Sequence, residues 1–452
     1  MTSKVFVGLS LSFAIATTAV MRRDVAGWAP VQDDAALVAR ARAIHERVLT
    51  LDTHNDIDPD QFTASCNYTM RLTTQVNLPK MRDGGLDVSF MIVYVGQGPL
   101  TPQGYEDAYR QAVAKFDAVH RLTEQIAPRE IGLALTPADV RSIAASGRKV
   151  AVIGVENGYP IGLDIRRVKE FYDRGGRYLS LAHNGHSQLA DSNTGEQDGR
   201  WLYGGLSPLG KQVIAELNRL GVMIDVSHPS KGAMMQAVAL SKAPVIASHS
   251  AARALANVSR NMDDEMLMAL KQNGGVIQTV AFSSYIKADP PQRGPALAAL
   301  RREFGIAAAP QNRERTPGAC PIEGADTAGQ GRGPDPSAAL PAERRAEYAR
   351  RLAEIDSKWP AAPRATVKDF VDHIDYLVRL IGIDHVGISS DFDGGGGIEG
   401  WNSAAEAFNV TLELVRRGYS EQDISKLWSG NLLRVWEQVE QVAKSIQAGT
   451  IK

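Results

Sequence analysis

The stretch Val48-Leu49-Thr50-Leu51-Asp52-Thr53-His54-Asn55-Asp56 is the starting point for both the fold and the chemistry of the chain. An apolar, β-branched run leads directly into His54 and Asp56. Side chains two residues apart in an extended chain point the same way, so a strand ending here aims an imidazole and a carboxylate at one point. A lone His-x-Asp pair is more often a pair of surface residues than a pair of metal ligands. The pair becomes informative only when other strands deliver ligands to the same end.

Further apolar segments alternate with helical patterns along the chain. Each segment is nearly continuous in apolar residues, which is typical of parallel strands that are covered on both faces. The eight predicted strands are 48–54, 85–96, 149–156, 177–183, 221–228, 243–249, 275–282 and 385–391.

Eight parallel strands can close into an α/β barrel of the (β/α)8 or TIM type, in which the chemistry lies at the carboxyl ends of the strands. A doubly wound open sheet is the alternative. We favour the barrel because six of the eight predicted strands end on residue types that bind metals. In a closed ring these ends face one cavity, whereas an open sheet would spread them across its width.

The barrel is predicted to span residues 33–446 as one unit, with a long insertion at 284–364 between strands seven and eight. The insertion is rich in Pro, Gly, Ala, Arg and Glu and too long for an ordinary loop. Helices are predicted within it over 296–304 and 341–358. A lid or subunit contact and an unstructured insertion fit the composition equally well. The tail from 420 to about 446 predicts a helix that closes the barrel from outside the ring.

The charge balance gives no reason to expect nucleic acid or an anionic membrane as a partner. The 452-residue chain carries 50 Lys and Arg residues against 51 Asp and Glu residues. Its apolar content of 44% is that of an ordinary globular protein.

Residues 1–22 predict a secretory signal peptide. One basic side chain, Lys4, precedes an apolar run of about a dozen residues and then small residues. The run is short for a bilayer-spanning helix, which needs about 20 residues. An uncleaved N-terminal anchor is the alternative, because Met21-Arg22-Arg23 leaves no clean cleavage site, and membrane contact is expected only in that case. We therefore expect an exported, periplasmic protein.

Cys66 and Cys320 are the only cysteines of the chain. In an exported protein such a pair can form a disulfide. Two free buried thiols fit the sequence equally well.

Three carboxylates and four imidazoles lie at the ends of the predicted strands: His54, Asp56, Glu156, His183, His228, His249 and Asp391. Each alone could cap a strand or begin a turn, but together in one cavity they would repel one another or lack partners without a cation. Nitrogen and oxygen ligands suit zinc, with manganese or cobalt as alternatives. The set exceeds the three protein ligands of a single catalytic zinc. Two metals bridged by a carboxylate fit better, and such a pair generates hydroxide at neutral pH while it polarises a carbonyl.

The motifs and their order resemble the membrane dipeptidase (renal dipeptidase) family of binuclear zinc peptidases, whose fold is a (β/α)8 barrel. The resemblance spans about residues 49–436, and the 21-residue separation of the two later histidines also matches. The motifs are His54-x-Asp56, Glu156, 179–184 with His183, Ser227-His228, Ser248-His249-Ser250, Ser259-Arg260-Asn261 and Asp391-Phe392-Asp393-Gly394.

The resemblance implies the metal ligands. His54 and Asp56 would bind one zinc, and His228 and His249 would bind the other. Glu156 would be the carboxylate that bridges the two ions.

The resemblance also implies the residues that act on the substrate. His183 would steady the carbonyl oxygen as it becomes tetrahedral. Arg260 would bind the substrate carboxylate with its planar fork of donors. Asp391 would take a proton from the bridging water and pass it to the leaving amine.

The expected function is zinc-dependent hydrolysis of dipeptides by a metal-bridging hydroxide, and a homodimer is the common assembly of such barrels. The alternative is a related binuclear-metal amidohydrolase that acts on an N-acyl amino acid, a lactam or the precursor of a secreted secondary metabolite. A non-catalytic binding protein is a third hypothesis. It would be expected to have a damaged ligand set, and this set is intact.

Overall fold

The computed structural model describes residues 35–306, 320–324 and 337–451, and within them nine strands form one parallel sheet. The strands are β1 (Leu51–Asp56), β2 (Val88–Tyr94), β3 (Ile131–Leu133), β4 (Lys149–Glu156), β5 (Gly176–Ser180), β6 (Met223–Asp225), β7 (Ile246–Ser250), β8 (Val276–Val280) and β9 (Val386–Ser389).

Eight of these strands form a ring in the order β1-β2-β4-β5-β6-β7-β8-β9. The ring closes where Asn55 pairs in parallel with Phe392 and the backbone N–H of Asp56 donates to the carbonyl oxygen of Phe392 at 2.9 Å. The predicted (β/α)8 barrel is therefore confirmed.

The short strand β3 is an addition that the sequence did not predict. It pairs with Lys149, Val150 and Ala151 at the start of β4 and lies off the path of the ring. A strand of three residues gives too short an apolar run to stand out from its surroundings.

The strands alternate with helices that begin in a recurrent way. The helices beginning at Pro102, Pro137 and Pro208 each follow a Thr or Ser whose side chain accepts a hydrogen bond from a backbone N–H in the first turn. Proline suits this position because its missing N–H would be unpaired there anyway. The helices are Ala35–Arg47, Leu78–Gly84, Pro102–Arg121, Pro137–Ala145, Arg166–Asp173, Pro208–Leu220, Lys231–Leu240, Asp264–Gln272, Ser283–Ile286, Arg293–Glu303, Ala342–Lys358, Val367–Ile381, Phe408–Arg416, Glu421–Ser425 and Asn431–Gln447.

The C-terminal helix Asn431–Gln447 closes the end of the ring opposite the carboxyl ends of the strands. Its buried apolar side chains join the cluster that contains the first residues of several strands, among them Leu51, Val88 and Val276. The ring centre of Trp436 lies 6.4 Å from that of Phe90 in β2. The predicted closing helix is confirmed, and it covers the end of the ring at which the strands begin.

The predicted insertion contains both expected helices, now bounded as Arg293–Glu303 and Ala342–Lys358. They pack together through a small cluster that includes Leu300, Phe304 and Tyr348. Residues 307–319 and 325–336 of the insertion lie outside the described residues, as does the predicted leader at 1–22. Among the described residues, no helix is long and apolar enough to cross a membrane.

Cys66 and Cys320 form a disulfide that joins residues 254 apart in the chain. It holds residues 320–324 of the insertion against the segment after β1, where Ile322 bridges to Leu72. The backbone N–H of Thr73 donates to the carbonyl oxygen of Pro321 at 2.6 Å. Part of the insertion is therefore tied to the barrel by both a covalent bond and backbone hydrogen bonds.

Candidate metal centre

The seven predicted strand-end residues all lie at the open end of the ring. His54, Glu156, His228, His249 and Asp391 are buried, and Asp56 and His183 are partly buried. Their positions are β1 for His54 and Asp56, β4 for Glu156, the loops after β5 and β6 for His183 and His228, β7 for His249 and the loop after β9 for Asp391.

The two carboxylate oxygens of Glu156 face different histidines. Oε1 lies 3.1 Å from Nε2 of His228 and 3.2 Å from Nε2 of His249. Oε2 lies 3.4 Å from Nε2 of His54 on the other side. This is the arrangement expected of a carboxylate that bridges two ions.

Several of these atoms are buried and have no hydrogen-bond partner within the described part of the chain. They include Nε2 of His54, Oδ1 of Asp56 and Oε1 of Glu156. Buried polar atoms without partners are costly, and lone pairs that point into one space are the environment in which a cation binds. The nitrogen and oxygen donors present here fit a divalent metal such as zinc.

The protonation of the histidines supports the same conclusion. Burial lowers the pKa of His228 and of His249 well below the usual range, so both rings are neutral and offer lone pairs. Burial also lowers the pKa of His54, but the carboxylates of Glu156 and Asp391 outweigh it and raise that pKa to about 9. A cation beside His54 would take the place of this proton.

Potential ligand atoms gather in two groups whose members lie within 4.8 Å of one another: His54, Glu156 and His249, and Glu156, His183 and His228. Glu156 is common to both groups, in keeping with a bridge. His183, predicted to contact the substrate, also belongs to one of these groups. Asp56 belongs to neither group, so its role as a ligand stays a prediction.

The ring of His249 is oriented by a relay of two hydrogen bonds, from its Nδ1 to Ser248 and from Ser248 to Asp225. Its Nδ1 lies 2.7 Å from Oγ of Ser248, and the Ser248 hydroxyl donates to Oδ2 of Asp225 at 2.7 Å. Because the serine proton is used on Asp225, the serine oxygen accepts the Nδ1 proton of His249. Nε2 of His249 is thereby left with a free lone pair that points at Glu156.

The backbone is strained around the same residues. Four non-glycine residues of the described part have positive φ: Asn157, His228, Asp391 and Asp393. Each of them is a predicted site residue or lies within two residues of one. The left-handed conformation is unfavourable for such residues, and it concentrates at functional sites because it aims side chains that a relaxed backbone could not aim.

Asp391 is held close to Asp56 by the tight backbone of the following turn. A Cβ added at Gly394 would collide with Oδ1 of Asp391 and lie 3.0 Å from Oδ2 of Asp56. Burial raises the pKa of Asp391 to about 8, and the neighbouring carboxylates of Asp56 and Glu156 add to the rise. The carboxyl group can therefore gain and lose a proton near neutral pH.

Arg260 lies beside β7 with its guanidinium buried. It donates from Nη2 to the carbonyl oxygen of His249 at 2.8 Å and from Nη1 to Oγ of Ser250 at 3.0 Å. Its Nε is buried and has no hydrogen-bond partner in the described part of the chain. The guanidinium therefore keeps one buried donor, Nε–H, without a partner among the described residues.

Sequence reasoning missed the residues that hold the ligands in place. Tyr178 and Asp225 were placed only within predicted strands, Ser248 was quoted only as part of a strand and a motif, and Asp52 was quoted without a role. Asp52 accepts hydrogen bonds from the backbone N–H of Ser390 at 2.9 Å and from the Ser390 hydroxyl, which ties β1 to β9. Polar residues inside otherwise apolar parallel strands were the signal that could have identified them.

A closed parallel barrel with a cluster of histidines and carboxylates at its open end defines a metal-dependent hydrolase of the barrel class. The family model described as membrane dipeptidase (peptidase family M19) matches residues 38–450. The chain belongs to this family and is a metallo-dipeptidase.

The relatives found by comparison agree with this assignment. The crystal structure of the probable dipeptidase PvdM from Pseudomonas aeruginosa is 36% identical, with a TM-score of 0.73, and the match covers 90% of this chain and 99% of that one. Dipeptidase aclJ from Aspergillus oryzae is 29% identical over 413 residues, which are 88% of this chain and 80% of the relative. A metallo peptidase from Rhodobacter sphaeroides, solved with a phosphinate mimic of the dipeptide L-Ala-D-Ala, is 21% identical with a TM-score of 0.62 over 87% of this chain and 99% of that one. At that identity the likeness concerns the fold alone.

Proposed function

We propose that the protein hydrolyses dipeptides with two divalent cations, zinc first and manganese or cobalt as alternatives. The ions would be held by His54, Asp56, Glu156, His228 and His249. The observation that carries the proposal is the position of Glu156, whose two oxygens face His54 on one side and His228 and His249 on the other. A bound pair would supply a hydroxide nucleophile at neutral pH and polarise the peptide carbonyl.

Asp391 is the proposed proton carrier. Its Oδ1 lies 4.0 Å from Nε2 of His54, inside the same cavity. A carboxyl with a pKa raised to about 8 can accept a proton from the attacking water and donate it to the leaving amine nitrogen. The peptide C–N bond then breaks, with one product released as a carboxylate and the other as an amine.

His183 is proposed to donate a hydrogen bond to the carbonyl oxygen. Burial lowers its pKa to about 4, so the ring is neutral at pH 7 and carries one N–H. Oη of Tyr94 lies 3.3 Å from Nδ1 of His183. When Tyr94 donates to Nδ1, the ring proton is on Nε2 and can stabilise the oxygen as it gains negative charge.

Arg260 is proposed to bind the carboxylate at the end of the dipeptide. Its guanidinium is fixed by two hydrogen bonds to β7 and stands 5.5 Å from the ring centre of Tyr285. A fixed, planar cation with an unused Nε–H suits recognition of a carboxylate. The L-Ala-D-Ala mimic bound to the Rhodobacter sphaeroides relative supports testing L-D as well as L-L dipeptides.

The experiment is a kinetic screen of a dipeptide library on the zinc-loaded protein, with Asp391→Asn as the control. We expect turnover of dipeptides by the wild-type protein and loss of turnover, with metal retained, in the variant. Cleavage of N-acyl amino acids or lactams without dipeptidase activity would favour the amidohydrolase alternative. A protein that stays metal-free after careful loading would favour a non-catalytic role.

We also propose that residues 1–22 direct export to the periplasm. The disulfide between Cys66 and Cys320 supports an oxidising compartment. Cell fractionation with N-terminal sequencing of the mature chain tests export and cleavage together. The homodimer stays a prediction, which light scattering on the purified protein would test.

A further inference from the structure

The side chain of Lys115 is a cation at the mouth of the barrel. The proposed mechanism gives it no role. It lies on the helix Pro102–Arg121, which follows β2, and it is half-buried. Its Nζ lies 5.6 Å from the ring centre of Tyr94. Because Oη of Tyr94 lies 3.3 Å from Nδ1 of His183, the ammonium is separated from that histidine by one aromatic ring.

The ammonium of Lys115 makes no ion pair or hydrogen bond with any residue that the structure describes. Burial lowers the pKa of Lys115, and the carboxylates of Asp56, Asp58 and Glu156 are the charges that oppose this lowering. Asp58 keeps its charge but lies beyond ion-pair distance of Nζ, and its Oδ1 accepts the backbone N–H of Asp60 at 3.1 Å. The other two belong to the proposed metal ligands, so bound cations would offset their charge. Lys115 is then left with only the more distant charge of Asp58 and with no ion-pair partner among the residues that the structure describes.

Lys115 and Arg260 stand on opposite sides of the ring. Tyr94, beneath Lys115, ends β2, whereas Arg260 is bonded to His249 and Ser250 of β7. These two strands are four positions apart in the eight-stranded ring. A dipeptide that places its terminal carboxylate at Arg260 therefore directs its first residue towards Tyr94 and Lys115.

We propose that Lys115 determines specificity by pairing with an acidic side chain on the first residue of the dipeptide. The inference rests on the proposed function, which supplies the orientation of the substrate. Lysine suits this task because its ammonium is a compact charge on a long, flexible stem that can follow side chains of different length.

The test compares Glu-Ala with Ala-Ala as substrates of the metal-loaded protein. We expect wild type to favour Glu-Ala in kcat/KM, and Lys115→Gln to lower the ratio of the two values about tenfold, the effect of one charge-assisted hydrogen bond. Lys115→Arg should keep most of the preference, whereas Lys115→Glu should reverse it in favour of Lys-Ala. Lys211→Gln, at an exposed lysine of the helix Pro208–Leu220, is the matched control and should leave the ratio at its wild-type value.

Equilibrium binding separates this inference from the proposed function. Glu-Ala and Ala-Ala are titrated by calorimetry into the Asp391→Asn variant and into the double variant that also carries Lys115→Gln. The measurement reports binding and does not require turnover. A preference for Glu-Ala that disappears with the Lys115→Gln change supports the inference. Equal binding of the two dipeptides, or a preference that survives the change, overturns it. Failure of wild type to cleave any dipeptide counts instead against the proposed function.

Discussion

The hydroxyl of Tyr178 lies 3.0 Å from Nδ1 of His54 and donates its own proton to the carbonyl oxygen of Thr53 at 3.2 Å. A hydroxyl has one proton, so the tyrosine oxygen accepts the Nδ1 proton of His54. This keeps the Nδ1 proton in place and makes Nε2, which faces Glu156, the nitrogen whose proton a cation would replace. The inside of the barrel thus determines which nitrogen of His54 is free to bind a cation.

Replacing Tyr178 by phenylalanine should weaken metal binding about 10- to 100-fold, the usual effect of losing the group that orients a histidine ligand. Affinity is measured by competition with a chelator of known strength. Tyr109→Phe is the matched control, because it removes a tyrosine hydrogen bond of 2.7 Å to Glu170 away from the site. Equal metal affinities in the two variants would contradict the role given to Tyr178.

Asp225→Asn should cost the protein one metal ion per chain. Oδ1 of Asp225 accepts the backbone N–H groups of Ser227 and Ser248, so an asparagine would place its oxygen there and its NH2 group towards Oγ of Ser248. The serine proton would then turn to Nδ1 of His249 and force the ring proton onto Nε2. Metal content after loading and dialysis checks this. Retention of the full wild-type complement would show that the relay does not set the tautomer.

Gly394→Ala should abolish turnover while leaving the barrel folded. The added Cβ would collide with Oδ1 of Asp391 and crowd Oδ2 of Asp56, so at least one carboxylate must move. We expect kcat to fall at least about 100-fold, since small displacements of catalytic groups have effects of that order. Gly294→Ala is the control because no atom of the described residues lies within 4 Å of the Cβ it would add. If Gly394→Ala keeps a near-normal kcat and an unchanged circular dichroism spectrum, turnover does not depend on a tightly fixed position of the Asp391 carboxylate.

Cys320→Ser should lower the thermal stability of the protein and expose the insertion to proteolysis. The disulfide closes a loop of more than 250 residues, and losing such a bond typically costs about 2–5 kcal/mol. Residues 320–324 would keep their backbone hydrogen bonds and the ion pairs of Glu323 with Lys80 at 3.4 Å and with Arg71 at 3.9 Å. The melting temperature and the rate of limited proteolysis are measured for the variant and for wild type with and without a reductant. Reduced wild type should behave like the variant. Identical melting of oxidised and reduced wild type would mean that the bond does not stabilise the fold.

The sequence was sufficient to predict the ring of strands and to place most of the proposed ligands at its open end. Both predictions depend on short apolar runs and on the residues that end them. Buried parallel strands read as continuous apolar runs, and a residue such as Glu156 or His249 at the end of a run is at the open end of a barrel. The strand Ile131–Leu133 was missed because three residues carry too little pattern.

The parts that could not be predicted depend on neighbours that are distant in the chain. Tyr178 acts on His54 across 124 residues, and Asp225 acts on His249 through a serine from the next strand. A polar residue inside an apolar strand marks such positions as unusual, but the local sequence does not show which distant histidine they contact. For the same reason the sequence could not decide whether Cys66 and Cys320 form a disulfide. Only the folded chain brings the two thiols together.

The most direct test is an X-ray structure of the zinc-loaded protein with anomalous differences recorded at the zinc absorption edge. We expect two peaks on either side of Glu156, one next to Oε1, His228 and His249 and the other next to Oε2, His54 and Asp56. A single peak, or peaks that do not contact Glu156, would contradict a dipeptidase built on a carboxylate-bridged pair of ions.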